Sequence, residues 1–172
     1  ISSELTIMRP SIIPNLIDAV QKNINKGFNN LSFFEVGPVF YGDLPEEQVT
    51  VASGIRYGNQ IEKDWKNEAK LYDFYSIKLD IFETLKALSC PISNLKIDNI
   101  TPKYFHPGRS ATLKLGKIDI AFFGQINPFV LQELNFKNEC FCFEIFIDNI
   151  PIKNSKNVSK SLLKYSPFQS SQ

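Results

Sequence analysis

Residues 140–148 read CFCFEIFID, and this stretch decides the fold. Successive side chains of a strand point to opposite faces, and here both faces are mostly apolar. One face consists of Phe141, Phe143, Ile145 and Ile147, and the other of Cys140, Cys142, Glu144 and Phe146. A strand with two apolar faces is covered on both sides. We therefore predict that residues 140–148 form a central strand of a sheet.

Upstream of that strand, residues 11–26 predict an amphipathic helix. Large aliphatic residues recur there at helical spacing. Ser11 is a plausible N-cap, and Pro14 falls in the first turn, where a missing N–H costs little. Gly27 follows as the C-terminal stop.

Further strands are predicted at residues 31–41, 49–57, 72–77, 95–98, 111–115 and 118–125. We expect a break or bulge in the first of them at Gly37-Pro38, because proline cannot donate to a strand ladder. The dipeptide Gly116-Lys117 fits a tight type II′ turn between the last two.

Short helices are predicted at residues 59–70, from the end of the 72–77 strand to about Leu88, and from an N-cap at Asn127 to about Leu134. Hairpins and helices alternate along the chain without a βαβ rhythm. We therefore predict the α+β class, with a mostly antiparallel sheet flanked by helices.

The charge balance excludes a strong general attraction to nucleic acid. The 172 residues include 19 basic and 18 acidic side chains, for a net charge of +1. Only three of the basic residues are arginines: Arg9, Arg56 and Arg109. Because bidentate recognition of phosphate favours arginine, the chain can supply few phosphate clamps.

Cysteine content and hydropathy point to a cytoplasmic protein. Three cysteines, an odd number, argue against a disulfide framework. We interpret Cys140 and Cys142 as reduced core thiols, since a zinc site needs more ligands than they and the single histidine offer. No apolar run is long enough to span a membrane, and the first residues show no signal peptide.

Four segments, taken in order, carry a resemblance to a known family. They are residues 8–16 (MRPSIIPNL), residues 34–41 (FEVGPVFY), Trp65 with residues 72–78 (YDFYSIK), and residues 106–110 (HPGRS) with 124–128 (GQINP). Each is weak alone, but the ordered set resembles the core module of the bacterial phenylalanyl-tRNA synthetase β subunit over residues 4–150.

The resemblance implies a class II aminoacyl-tRNA synthetase-like fold in residues 1–150. Residues 151–172 would then be an exposed linker that leads to an anticodon-binding domain absent from this chain. The expected partner is the synthetase α subunit in an (αβ)₂ enzyme that joins phenylalanine to tRNA(Phe). That enzyme uses ATP and magnesium, and whether this module touches tRNA is left open.

The same resemblance implies that this module lacks catalysis. Tyr41 stands where the catalytic α subunit has an arginine that grips ATP, and the strand at 140–147 contains neither glycine nor arginine. We expect Phe141, Phe143 and Phe146 to fill the adenine cleft. No catalytic, cofactor or metal residue is therefore expected in the fragment.

The remaining candidates are residues with an interface or structural role. In His106-Pro107-Gly108-Arg109, Pro-Gly predicts a type II turn with a positive φ at Gly108. We expect Arg109 to pair with a carboxylate or a backbone carbonyl; a subunit-interface or tRNA contact is the alternative. Catalysis by His106 is disfavoured, because no nucleophile is identifiable nearby.

Three further expectations concern surfaces. Arg9 precedes Pro10 and so lies in an extended segment, where it forms either a surface ion pair or a contact to the α subunit. Trp65 is interpreted as a packing anchor rather than a base-stacking platform. An exposed apolar patch is expected near residues 11–26 or 106–110.

Two charged groups are interpreted as solvated rather than functional. Asp73, Asp80 and Glu83 suggest a solvated helix face, and the lysine-rich residues 153–164 suggest a solvated linker. Two other functions stay open: an active class II ligase-like enzyme, and a free-standing protein-interaction domain unrelated to synthetases.

Overall fold

The computed structural model describes residues 8–42 and 44–151. In chain order the elements are α1 (Ile13–Ile24), β1 (Leu31–Phe40), β2 (Gln48–Tyr57), β3 (Asn59–Ile61), β4 (Lys70–Leu71), α2 (Phe74–Ala87), β5 (Leu95–Asp98), β6 (Phe105–Leu115), β7 (Ile118–Ile126), α3 (Pro128–Glu133) and β8 (Cys140–Phe146). Six strands form one sheet in the order β1-β2-β8-β7-β6-β5, and β3 and β4 form a separate hairpin. Every described strand pair is antiparallel, which confirms the predicted α+β class.

The last strand, β8, lies at the centre of the sheet, as predicted. It pairs with β2 on one side and β7 on the other. Helix α1 packs on the face that carries Cys140, Cys142 and Phe146, and we call this the α1 face. Helix α2 packs on the opposite face, with Phe141 and Ile145, and we call this the α2 face.

The N-cap of helix α1 lies one residue later than predicted, at Ile12 rather than Ser11, and the helix begins at Ile13. Ile12 is the N-cap and has helical backbone angles. The hydroxyl of Ser11 instead accepts a hydrogen bond from the Ile13 amide at 3.1 Å. The predicted C-terminal stop is confirmed, because Gly27 has φ +93° and its amide donates to the Ile24 carbonyl.

The region from Asn59 to Phe74 differs most from the sequence prediction. The helix predicted at 59–70 is wrong, since β3 and β4 form a hairpin there. The strand predicted at 72–77 is also wrong, because α2 begins at Phe74. Asp73 caps that helix by accepting from the Ser76 amide at 2.7 Å, and the Ser76 hydroxyl reaches back to the Asp73 amide. This reciprocal cap is the local signal that the strand prediction overlooked.

Strand β1 continues unbroken through Gly37 and Pro38, so the predicted break is wrong. Its register with β2 advances one residue at a time from Leu31 to Phe40. β1 is an edge strand, and the Phe40 amide points outward to the carbonyl of Arg9. Pro38 lies two residues away and so has the same orientation. Its missing N–H therefore removes nothing from the ladder.

The C-terminal half follows the prediction closely. In the β6–β7 turn, Gly116 has a positive φ of +66° and Lys117 does not have a positive φ, as a type II′ turn requires. Asn127 caps α3 by accepting from the Phe129 amide at 3.1 Å. The short strand β5 is also present. These three local predictions are confirmed.

The predicted linker at 151–172 lies outside the described residues except for Pro151, which is exposed. Among the residues that the structure describes, no helix has the length and apolar character needed to cross a membrane.

Candidate functional site

A buried carboxylate occupies the centre of the α1 face. Glu144 of β8 is only 4% exposed. Its Oε1 accepts hydrogen bonds from the Ser11 hydroxyl at 2.7 Å, the Ile12 amide at 3.2 Å and the Ser53 hydroxyl at 3.4 Å. Its Oε2 accepts from the Tyr104 hydroxyl at 2.9 Å. We call these five residues the Glu144 cluster.

The cluster ties together parts of the chain that are far apart in sequence. Ser11 and Ile12 precede α1, Ser53 lies in β2 and Tyr104 precedes β6. All four donate to one carboxylate on the central strand. The cluster thus fixes the entry of α1 onto the sheet, and a network whose members are all paired makes such a core specific.

The charge of Glu144 acts on two tyrosines. Burial raises the pKa of Tyr104 far above its usual value of 10, and the negative charge of Glu144 raises it further. Tyr41, which follows β1, has its pKa raised by partial burial and then by the same carboxylate. Both hydroxyls therefore stay neutral at physiological pH.

The cluster can organise structure better than it can bind a ligand. Four protein donors contact the carboxylate of Glu144, three of them at Oε1 and one at Oε2. The donors are neutral, so the local charge is negative. Such a place disfavours phosphate.

Arg9 lies on the edge of the sheet. Its Nε donates to the Pro38 carbonyl at 3.1 Å, and one terminal nitrogen lies 2.5 Å from a Glu35 carboxylate oxygen. The structure thus shows a surface ion pair at Arg9. Pro10, next in the chain, is exposed.

Arg56 lies on the α2 face and forms a bidentate ion pair with Asp80 of α2. Two nitrogens of the guanidinium contact the two carboxylate oxygens at 2.8 and 3.0 Å. The guanidinium also lies 5.4 Å from the ring centre of Tyr72. The interpretation of Asp73 and Asp80 as part of a solvated face is wrong, because Asp73 caps α2 and Asp80 joins it to the sheet.

Residues 106–110 form a bulged part of β6 rather than a type II turn. Gly108 has no positive φ, and the register of β6 against β7 shifts between Phe105 and Ser110. The His106 side chain accepts from the Gly108 amide at 2.9 Å, and the Ser110 hydroxyl donates to the His106 carbonyl at 2.6 Å. The turn prediction is wrong: Pro107 and Gly108 lie in the unpaired part of the bulge, between the paired residues Phe105 and Ser110.

The glycine that this bulge requires lies on the neighbouring strand. Gly124 of β7 has φ +148°, and a Cβ there would stand 2.4 Å from the Arg109 carbonyl oxygen and 2.5 Å from the Ser110 Cα. A Cβ at Gly108 would meet only the His106 ring, at 3.6 Å. The close approach of β6 to β7 therefore depends on Gly124.

Arg109 pairs with a carboxylate, one of the two structural partners expected for it. One terminal nitrogen donates to Glu139 at 2.8 Å and to the Gln125 side chain at 3.2 Å. The side chains of Arg109 and Glu139 are 54% and 51% exposed. The pair therefore lies at the surface.

Trp65 is not a packing anchor, and that prediction is wrong. Its side chain lies at the tip of the β3–β4 hairpin and is 95% exposed. The tip is held by Asp64, which accepts from the amides of Lys66 and Asn67 at 2.7 and 2.5 Å. The Asn67 side chain adds a third hydrogen bond at 3.0 Å.

Exposed apolar side chains occur away from the predicted places. The large ones that are more than 70% exposed are Phe34, Trp65, Tyr75, Ile100 and Phe129. None belongs to residues 11–26 or 106–110. What α1 offers instead is a groove of about 480 Å³ against α3, lined mainly by aliphatic and proline side chains. The apolar patch expected near residues 11–26 therefore has a counterpart in this groove, and its area as an interface stays a prediction.

The three phenylalanines of β8 do not fill one common cleft. Phe146 belongs to the α1 face, whereas Phe141 and Phe143 belong to the α2 face. Strand alternation makes this separation unavoidable, so the cleft-filling expectation is wrong. The sequence signal that could have located the site is Glu144, the single charged residue within an otherwise apolar strand.

The family comparison agrees with the sequence resemblance. The model of the phenylalanyl tRNA synthetase beta chain CLM domain matches residues 1–147. The phenylalanine–tRNA ligase beta subunit of Rhodospirillum rubrum is 40% identical over 170 residues, which cover 98% of this chain and 21% of that protein. That of Bartonella quintana is 38% identical over 175 residues, with 98% and 22% covered.

The fold comparison finds a synthetase with a similar fold. A pyrrolysyl tRNA synthetase of Desulfitobacterium hafniense superimposes with a TM-score of 0.58 at 12% sequence identity, over 81% of this chain and 47% of that one. At this identity the match shows the fold alone, which is the predicted synthetase-like fold. The chain spans about a fifth of the length of the curated relatives. The interpretation as a domain unrelated to synthetases is therefore wrong, and the chain belongs to the phenylalanyl-tRNA synthetase β-chain family.

Proposed function

We propose that this chain is a non-catalytic module of the phenylalanine–tRNA ligase β chain. In this role it supports the catalytic α subunit and the assembly of an (αβ)₂ enzyme that aminoacylates tRNA(Phe). ATP and magnesium would bind to the α subunit, and the complex would work in the cytoplasm.

The distribution of charged side chains carries the proposal. The α1 face centres on the carboxylate of Glu144, with Tyr104 and Tyr41 nearby. All three arginines of the sequence are already paired with carboxylates: Arg56 with Asp80 and Arg109 with Glu139 on the α2 face, and Arg9 with Glu35, which lies opposite Ser53 on the α1 face.

This arrangement does not fit ATP. Phosphoryl oxygens are bound by positive groups: guanidinium, which contacts two oxygens at once, ammonium, or a metal ion. A triphosphate near the Glu144 cluster would instead meet a buried negative charge and two neutral phenols, and the arginine on this face, Arg9, is already paired with Glu35. The described residues therefore favour a structural role for this sheet over nucleotide chemistry.

The proposal is tested with the full-length β chain that contains this module. Purified without α, it should show no exchange of pyrophosphate into ATP in the presence of phenylalanine, ATP and magnesium. Adding the α subunit should produce the activity and a stable complex in a sizing experiment. Exchange by β alone, clearly above that of a mock purification, would overturn the non-catalytic assignment.

A substitution gives a sharper control. Tyr41→Arg introduces the arginine that the catalytic α subunit is expected to have at this position. We expect the β chain alone to remain inactive. Glu144 acts electrostatically on position 41, so the introduced guanidinium would be drawn to the carboxylate rather than to phosphate. Activity in this variant would mean that Tyr41 alone blocks an otherwise competent site.

A further inference from the structure

A cavity lies on the α2 face, between the first turns of α2 and the bulged part of β6. Its volume is about 660 Å³, within the range of about 300–1,000 Å³ that small-molecule sites occupy. Its apolar lining is mainly aromatic. Phe123 and Phe141 are buried in the sheet, Phe74 stacks on Phe123 with ring centres 5.2 Å apart, and Tyr75 is exposed to solvent. The cavity can therefore hold a planar apolar group.

Charged side chains of both signs line the same cavity. Lys78 and Arg109 are positive, and Asp73 and Glu139 are negative. These four charges sum to zero. A ligand that carries one positive and one negative group therefore matches the lining better than a simple anion or a simple cation does.

The positive side chains keep donors for an anionic group. Arg109 reaches Glu139 and Gln125 through one and the same terminal nitrogen. Its Nε and its other terminal nitrogen have no acceptor in the described part of the chain, and this edge of a guanidinium can bind a carboxylate with two hydrogen bonds. The Nε atoms of the other two arginines already donate within the protein. Lys78 lies 5.7 Å from the ring centre of Phe82 and forms no ion pair with any described residue.

The negative side chains can receive a cationic group. Glu139 meets Arg109 through Oε1, and its Oε2 accepts no hydrogen bond from the residues that the structure describes. Hydrogen bonding from the side chain of Ser76 lowers the pKa of Asp73. The Asp73 carboxylate therefore stays ionised at neutral pH and adds negative charge beside the same cavity.

The charges fit nucleic acid less well. Sites for single-stranded RNA combine stacking aromatics with a positively charged groove for the backbone. Here each positive side chain is matched by a carboxylate. A phosphate group would therefore meet two negative side chains in the same cavity.

We propose that this cavity binds a free amino acid with an aromatic side chain. Its carboxylate accepts hydrogen bonds from the open edge of Arg109 and faces the charge of Lys78. Its ammonium donates to Glu139, and its ring lies against the aromatic lining. The inference goes beyond the proposed function, because the cavity lies on the opposite face of the sheet from the Glu144 cluster and needs no α subunit.

The test uses the full-length β chain purified without α, with radiolabelled phenylalanine as the probe in equilibrium dialysis at neutral pH. The wild type should bind with a Kd below about 1 mM, the upper end of the usual range for enzymes and their substrates. Arg109→Gln should weaken binding about tenfold or more, the fold-change for a lost hydrogen bond to a charged group. Lys78→Ala should weaken it several-fold. Lys86→Ala is the matched control, because Lys86 lies in the last turn of α2 and does not line the cavity.

Two analogues test whether both charges of the ligand are needed. Hydrocinnamate lacks the ammonium of phenylalanine, and phenethylamine lacks its carboxylate. Each should bind at least about tenfold more weakly than phenylalanine, because each loses one set of charged hydrogen bonds. Melting temperatures of the variants should equal that of the wild type. If Arg109→Gln melts earlier, Lys78→Ala decides.

Each other outcome overturns the inference in a distinct way. If the wild type binds no phenylalanine, the cavity is not such a site. If Arg109→Gln and Lys78→Ala both bind as the wild type does, phenylalanine binds elsewhere on the β chain. If hydrocinnamate binds as tightly as phenylalanine, the ligand class is wrong. If Lys86→Ala is equally harmful, the effect is not specific to the cavity. None of these outcomes bears on pyrophosphate exchange or on association with α, so the proposed function is judged separately.

Discussion

Two carboxylates in this domain accept hydrogen bonds in a similar way, but their donors lie at very different separations in sequence. Glu144 and Asp64 each accept several hydrogen bonds from neighbouring donors. The donors of Glu144 lie 40 to 133 residues away in sequence, and the carboxylate is buried. The donors of Asp64 lie two or three residues away, and the turn is exposed. The first carboxylate therefore holds tertiary structure, whereas the second shapes only a loop.

The difference separates the part of the domain that holds the fold from the part that faces solvent. The carboxylate at the centre of the α1 face is held by hydrogen bonds from the protein itself. The hairpin tip, by contrast, faces solvent. Each prediction below changes one side of this comparison, beginning with the largest expected effect.

Glu144→Ala should destabilise the 172-residue chain by about 3–5 kcal/mol. The change removes the acceptor of four donors, and each buried donor left without a partner costs about 1–3 kcal/mol. Urea unfolding followed by circular dichroism measures the loss. Glu144→Gln keeps one oxygen acceptor and should cost less. A cost below about 1 kcal/mol for Glu144→Ala would show that the cluster does not hold the α1 face.

Tyr104→Phe removes a single donor from the same cluster. At neutral pH it should cost about 1.5 kcal/mol, the lower range for a hydrogen bond to a charged group. The folded pKa of Tyr104 is raised above the unfolded value of 10.0. Its contribution to stability is therefore complete below pH 10 and is lost as the pH rises beyond it.

The pH dependence separates this mechanism from simple loss of packing. In urea unfolding between pH 7 and 11, the stability difference between wild type and Tyr104→Phe should shrink above pH 10. A difference that stays constant would mean that burial and the charge of Glu144 do not raise the pKa of the Tyr104 phenol.

Arg109→Ala should have a much smaller effect. Arg109 and Glu139 are both about half exposed, and exposed ion pairs contribute under about 1 kcal/mol. A double-mutant cycle with Glu139→Ala, measured by urea unfolding at low and high salt, gives the coupling directly. Coupling well above 1 kcal/mol in the isolated chain would show that the pair is stronger than its exposure suggests.

The elements that sequence reasoning located correctly are those with local signals. β8 was identified by its two apolar faces, α3 by the Asn-Pro start, and the β6–β7 turn by Gly116. Each of these signals acts within a few residues. The class of the sheet followed from them, because antiparallel pairing needs only short connections.

The errors came from tertiary context. Pro38 does not break β1, because the strand lies at an edge. Gly108 does not turn, because β6 extends through it. Trp65 was assigned to packing from its size alone, although nothing local places a core beside it. The Glu144 cluster depends on contacts across 40 to 133 residues, and no single-sequence pattern specifies which donors will meet that carboxylate.

The smallest global effect is expected at Asp64. Its pKa is lowered, first by hydrogen bonds from the backbone of Asn67 and Lys66 and then by the Asn67 side chain. Because the folded pKa lies below the unfolded value of 3.8, the stabilisation is present above pH 3.8 and lost as the pH falls through the folded value. The turn should therefore be ordered at neutral pH and loosen only in acid.

Asp64→Ala should leave the urea midpoint within error and speed amide exchange at Asn67 at pH 6, as measured by nuclear magnetic resonance. Asp64→Asn is the matched control: it keeps an oxygen that can accept from the Asn67 amide but cannot titrate. As the pH falls below 3.8 and through the lowered folded pKa, the wild type should lose its advantage over Asp64→Ala, whereas Asp64→Asn should not lose its own by titration of residue 64. If Asp64→Ala instead lowered the urea midpoint as much as Glu144→Ala does, the hairpin tip would be part of the global structure, and the contrast between the two carboxylates would be false.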